Sequence, residues 1–380
     1  MKIVVIFIVT VFCGITKLIP KSIVKPIIMA DFGGGNSYYE GKSSSFGGNF
    51  VIDIAPVIIF NERLALLLYY KGNYQGIKSF TRLAEGGSLY QQTQNHLFLI
   101  KLLIKKQKGL KFKTKIGYKK ELVRETKDES WGDGLYDYDR YNLGIEWEKR
   151  KVRFGYNFYY YQFPNYWSLA SKIGLSQPGE DIYDHISNEI FWSRDGRINL
   201  EMYLVYKYFL DQYIVEETAL YSNRKRWDIN FEINLERFYL IFKKIFMVAG
   251  LSLTYNHSNQ NYFDVRELMF IPNFYDYIDG KFSISFNKKY KKFAFSFGYS
   301  FGYRKYIERL IQDIKGEYKP EKLNQKIQIF SLSIVYPLRR NLEIELQGNW
   351  QIALSNMEYE EFYKYSYSAG NWLTSINWRY

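Results

Sequence analysis

Six lysines set the first question. Lys101, Lys105, Lys111, Lys113, Lys115 and Lys119 all fall at odd positions, an even number apart, in a stretch whose even positions are largely apolar. Lys151 and Arg153 continue the spacing further along. Acids show the same habit elsewhere, at Glu146 and Glu148, Glu201, Asp228 and Glu232, and Glu343 and Glu345. Side chains two apart on a strand share a face. Such residues can line a charged wall. Walls of opposite sign around a water-filled space would bind or select ions and small charged solutes, and a net positive balance concentrates anions. The plainer use of the same residues is a solvated wall held by cross-strand ion pairs.

Two histidines invite a catalytic reading. His185-Ile186-Ser187-Asn188 has the His-x-Ser-Asn order seen in outer-membrane phospholipases and lipid A deacylases. On a strand, His185 and Ser187 share a face, so the imidazole could activate the hydroxyl, with Glu189 to orient it. The flanking Ile186, Ile190 and Trp192 turn that face away from lipid, where such chemistry would be needed. His257 points toward the apolar side with Leu251, Leu253 and Tyr255, but the adjacent Ser258 points the other way. Neither pair meets both spacing and orientation, so no catalytic residue and no enzyme activity is expected. His96 suggests nothing further. Asp133, Asp137 and Asp139 lack the spacing of an EF-hand loop, and no HExxH, CxxC or GxxxxGK[ST] occurs. With 3 His and 1 Cys in 380 residues, no metal centre, disulfide framework or cofactor is expected.

The elements that position these residues alternate with period two. Phe293, Phe295, Phe297, Tyr299, Phe301 and Tyr303 interleave with Ala294, Ser296, Gly298, Ser300 and Gly302. Lys281 to Asn287, Leu342 to Gln347, Ile198 to Tyr208, Trp227 to Leu235, Tyr141 to Trp147 and Leu110 to Tyr118 repeat the pattern. No comparable window carries a helical stripe. The chain has 37 Tyr, 29 Phe and 8 Trp, yet only 8 Pro. Its mean hydropathy of −0.32 is too polar for a bundle of membrane helices.

A soluble sandwich would bury the apolar faces, but six large aromatics on one strand face overfill such a core. A membrane barrel turns them to lipid. Aromatics gather at strand ends, with Trp147, Trp192, Trp378 and Tyr380 toward one rim and Tyr118, Trp227 and Trp350 toward the other. Short connections at 61–62, 105–109, 149–150, 194–197, 287–292 and 337–341 alternate with longer polar ones near 80–92, 124–136, 163–183, 212–224, 256–276, 305–323 and 356–367. A seventh, ill-defined turn falls in 234–244 and a first loop near Lys42 to Phe46. This spacing predicts an all-β, antiparallel up-and-down transmembrane barrel of about 16 strands. The first strand, near Phe32 to Gly41, is the weakest, which leaves 14 open.

Residues 3–15 form an uncharged, almost unbroken apolar run behind Lys2. It is shorter than the roughly 20 residues that span a bilayer, and fits the apolar region of a secretory signal. Cleavage after Ala30 makes 1–30 the signal and 31–380 the barrel domain. A retained N-terminal helix is the alternative. Cys13 follows Phe12 where a lipoprotein signal needs a small residue. Four of the thirteen net positive charges lie in residues 1–30, leaving +9 for the body. An exported chain does not meet DNA, so no nucleic-acid partner is expected.

The terminus, Gly370-Asn371-Trp372-Leu373-Thr374-Ser375-Ile376-Asn377-Trp378-Arg379-Tyr380, ends on an aromatic, with Trp372, Ile376, Trp378 and Tyr380 on one face. With the signal and the alternating body, it resembles a Gram-negative outer-membrane β-barrel of porin-like size. The resemblance implies a final strand that serves as an assembly signal, a barrel-assembly machine and outer-membrane lipid as partners, and a location in the outer membrane. It leaves homo-oligomerisation open. The expected function is a passive aqueous pore for small charged solutes, leaning to anions. The alternatives are an export barrel, for example for a polysaccharide, a structural surface barrel, and an outer-membrane lipid hydrolase. The Pro164-bearing loop is a candidate constriction, with Glu180, Asp181 and Asp184 facing the basic wall.

Overall fold

The computed structural model describes residues 23–39, 42–76, 92–106, 109–124, 129–166, 183–242, 245–359 and 365–380. Sixteen long antiparallel strands close on themselves. They are β1 Ile28–Tyr39, β2 Lys42–Ile54, β3 Leu64–Gln75, β4 Gln92–Lys105, β5 Leu110–Arg124, β6 Tyr138–Lys149, β7 Val152–Gln162 and β8 His185–Arg194. They continue with β9 Ile198–Val215, β10 Tyr221–Ile241, β11 Ile245–Ser258, β12 Tyr277–Tyr290, β13 Phe293–Gln312, β14 Tyr318–Arg339, β15 Leu342–Ser355 and β16 Tyr367–Arg379. Each pairs with its neighbours in sequence, and β1 pairs with β16 from Met29–Arg379 to Tyr39–Ala369. Closure leaves no open edge, the condition for a sheet in lipid. Short pieces complete the end where β1 begins and β16 ends. Beyond Pro56, Val57–Asn61 prolongs β2, and Ile23–Lys25 pairs alongside it. A two-stranded hairpin, Tyr262–Asp264 with Met269–Ile271, sits in the β11–β12 loop.

Period two holds through the barrel. Phe112 and Ile116, Tyr141 to Trp147, Leu251 to Tyr255 and Phe293 to Phe297 stand exposed on the outside, as lipid-facing residues must. The outer aromatic girdle is one register row: Tyr70, Phe98, Tyr118, Tyr141, Tyr160, Ile186, Tyr208 and Trp227 stand opposite one another on consecutive strands. Trp147 and Trp378 lie toward the opposite rim, which also carries the start of β1, the end of β16 and the short turns. In this architecture that end is periplasmic.

Several expected boundaries move. The first strand begins at Ile28 rather than Phe32. Lys42 to Phe46, expected as the first loop, belong to β2. The 212–224 and 305–323 loops shrink to 216–220 and 313–317, because β9, β10, β13 and β14 run on past the girdle. The ill-defined turn is at Phe242, after both faces of β10 have become apolar from Phe238 to Ile241. Cleavage after Ala30 would cut three residues into β1, where Ala30 pairs with Trp378 and Ile52.

Candidate functional site: the inner wall

The charged residues singled out by spacing lie on the face opposite the exposed aromatics. On β4 and β5 the register sets Lys101 opposite Lys115 and Lys105 opposite Lys111, with Lys113 opposite Leu103. Their neighbours on β6 divide the wall into two kinds of lysine. Lys111 binds Glu148 at 2.5 Å, and Lys113 binds Glu146 at 2.5 Å and Glu148 at 2.9 Å. Lys119 binds Glu121 at 2.6 Å and the Tyr138 hydroxyl. These pairs neutralise half of the six lysines, by cross-strand and same-strand ion pairs. Among the described residues, Lys101, Lys105 and Lys115 have no carboxylate within ion-pair distance.

Lys115 is free because its neighbour across the pair on β6 is Gly144, not an acid. A Cβ at Gly144 would lie 2.4 Å from Lys115 Cε and 2.5 Å from Asn157 Oδ1. The glycine is the space in which the lysine lies flat. Its row continues through Asn157 to Glu189, and Asn157 Nδ2 donates to Glu189 at 2.5 Å.

Arg153 reaches Glu201 and Asp195, both at 3.5 Å. Lys151 falls in the β6–β7 turn rather than on a wall strand, a correction to the expected wall. Glu201 and Glu232 stand on the inner faces of β9 and β10, and Glu343 and Glu345 on β15. Glu343 binds Arg379 at 2.9 Å, and Glu345 accepts from Ser333 and Asn377. Cations therefore gather on β4 and β5, with acids beside them on β6 and further acids on β9, β10 and β15.

The outer end of the inner wall carries packing that spacing could not reveal. His185 is buried in a stack with Tyr161 at 4.4 Å and Phe209 at 5.1 Å, and its Nδ1 lies 2.8 Å from the Tyr183 carbonyl. Phe163, Tyr166 and Tyr183 from the β7–β8 loop complete this cluster. Arg226 is 1% exposed, sandwiched at 4.3 Å by both Phe209 and Tyr275, and bound to Asp228 and Gln212. Of the expected constriction acids, Glu180 and Asp181 lie outside the described residues. Asp184 does not face the lysines. Its Oδ1 accepts from the Phe163 N–H at 2.7 Å and so pins the base of its own loop. Burial, with Asp211 nearby, pushes this carboxyl above its usual range. Asp137 clamps the β5–β6 loop, accepting from Val123 N at 2.6 Å and Gly134 N at 3.1 Å, and burial raises it too.

No hydrogen bond joins His185 to Ser187. His257 faces outward beside Trp227, with Nδ1 2.7 Å from Asp276 Oδ2, while Ser258 is fully buried on the inner side. Asp276 also accepts from the Ser258 N–H at 2.6 Å. Neither histidine forms a nucleophilic pair with its serine.

No family model and no curated relative matches the chain. Solved structures do. OmpT, an outer membrane protein of Vibrio cholerae, in a trimer form, is 11% identical over 94% of this chain and 99% of its own, with a TM-score of 0.51. A bacterial polysaccharide outer membrane secretin is 7% identical over 93% and 98%, at 0.48. An anion-selective porin from Comamonas acidovorans is 8% identical over 95% and 100%, at 0.45. At these identities the likeness is one of fold. Closed strands, an outward apolar band, paired girdles and short turns at one end make this chain an outer-membrane β-barrel of 16 strands.

Proposed function

We propose that the barrel is a passive aqueous pore for small charged solutes, leaning toward anions, and not an enzyme. The observation that carries the reading is the Lys101–Lys115 pair. Two like charges stand directly opposite on adjacent strands, an arrangement that is unfavourable in itself. Among the described residues no carboxylate forms an ion pair with either lysine, and Lys115 lies over Gly144 on the neighbouring strand. Hydration or a passing anion would supply the missing counter-charge. The acids across the lumen set up a transverse field that orients charged solutes. We further propose cleavage of the N-terminal apolar segment on export, and recognition of β16 by a barrel-assembly machine.

The test is conductance of the purified, folded barrel in a planar bilayer under a salt gradient. A reversal potential on the anion side is expected. Lys101→Glu with Lys115→Glu should move it toward cations, most clearly at low salt, where the Debye length is about 30 Å at 0.01 M. A barrel that does not conduct, or whose reversal potential ignores the substitutions, rejects the reading and moves weight to export or structural roles.

A further inference from the structure

A second group of cations lies outside the lumen. At the short-turn end, Lys149, Arg194, Arg237 and Lys288 occupy the lipid-facing side of their strands. Lys149 and Arg194 both stand opposite Val152, Arg237 stands opposite Ile198 and Lys288 opposite Phe295, and these partners belong to the exposed apolar face. Lys106 lies over the outward Phe112 ring at 5.0 Å, and Arg237 over Tyr239 at 4.7 Å. The cations thus form a second tier just beyond the girdle aromatics.

Their lack of partners sets them apart from many cations of the opposite rim. Among the described residues, none of these five has a carboxylate within ion-pair distance, although Glu62, Asp195 and Glu236 share this end. At the outer end the described cations are often paired: Lys120 with Asp139, Arg304 with Asp279, Lys319 with Asp313 and Lys322 with Glu308. The turns add a further sign. Arg150 and Lys291 adopt left-handed φ of 56° and 53°, where glycine or asparagine is favoured.

From this placement we infer that the periplasmic rim is a collar for anionic phospholipid headgroups of the adjoining leaflet. The exposed rings seat in the acyl boundary, and the cations above them meet the phosphate layer, the arrangement by which basic residues select acidic lipids. A purely lumenal use would have placed these charges on the inner face. This inference needs only the barrel fold and does not rest on the pore reading.

Spin-labelled lipids test it directly. The folded barrel is placed in phosphatidylcholine vesicles, and the bound fraction is compared for labelled phosphatidylglycerol and labelled phosphatidylcholine. Phosphatidylglycerol should associate about fivefold more strongly or better at low salt. The preference should collapse at about 1 M salt, where the Debye length is roughly 3 Å. It should also fall in a variant combining Lys149→Gln, Arg194→Gln, Arg237→Gln and Lys288→Gln, and persist in Lys120→Gln at the outer rim. The salt response of the unaltered barrel reads the effect even if the fourfold variant does not fold. Equal association of the two lipids, or a preference that ignores both salt and the fourfold change, overturns the collar. Capture of soluble dextran sulfate with equal lipid association would assign the ring to polyanions and also overturn it.

Discussion

Trp350 on β15 lies across Gly370 on β16, so closely that a Cβ at position 370 would sit 2.3 Å from the indole Cε3. The relation is reciprocal: Trp372 covers Gly348 in the same way, with a Cβ there 2.5 Å from its Cζ3. Two rings thus fill two gaps left by glycine on the outer face, which ties the last strand to its neighbour.

Gly370→Ala should push the Trp350 ring aside and cost about 1–3 kcal/mol, as overpacking does. In a Trp350→Ala background the same change should cost little. Urea unfolding of the four forms in lipid vesicles gives the coupling. Strictly additive effects would mean that the ring does not occupy the glycine's space.

Lys115 and Lys113 should differ although they are two residues apart. Lys115→Gln removes an uncompensated charge and should reduce anion preference. Lys113→Gln releases part of the Glu146–Glu148 pair, so both selectivity and stability should change. Breaking a partly buried pair costs more than the 0–1 kcal/mol typical of surface pairs. Reversal potentials and unfolding midpoints for the two variants separate the cases.

The Asp137 clamp predicts a pH effect in the β5–β6 loop. Burial raises this carboxyl above its ordinary value near 4. A group raised on folding favours the folded form fully below its ordinary value, and that help is lost as pH rises through the raised one. Protection of the Val123 and Gly134 amides from hydrogen exchange, corrected for intrinsic rate, should be higher in acid than at neutral pH. Asp137→Asn should keep the acid-level protection at neutral pH. Equal protection at both pH values in the unaltered barrel would reject the clamp as a titrating element.

The closing strand predicts an assembly phenotype. Ile28 and Tyr380 exchange backbone hydrogen bonds at 3.1 and 2.8 Å, and the Trp378 and Tyr380 rings stack at 6.2 Å. Deleting Tyr380, or Trp378→Asp, should leave the chain unassembled in the periplasm. A charge on the lipid face near an interface costs only roughly 0–1 kcal/mol, so a large defect must come from failed recognition. Normal insertion of both variants, followed by heat-modifiable migration, would remove β16 from that role.

Topology is open to protease. Trypsin added to intact cells should spare the Arg194 to Arg197 turn and cut only loop sites. Cleavage in that turn would reverse the assigned orientation.

The period-two pattern determined which face each residue occupies, because strand geometry is local and alternates whatever the neighbours are. Lys101 to Lys119, Glu343 and Glu345, and the outward ring series of β13 could all be placed this way. Alternating short and long connections narrowed the strand count to 16 or 14, and pairing of the first strand with the last decided for 16. Register was not legible, since it depends on which residue of a distant strand stands opposite. Only the closed barrel decided that Lys111 and Lys113 meet acids while Lys115 meets Gly144. Loop packing was equally hidden. Asp184 resembled a pore acid by charge, but its partner is the Phe163 amide at the far side of its loop, and His185 resembled a base until its ring stacked against Tyr161. Such contacts join residues distant in sequence, and a pattern read one strand at a time contains no record of them.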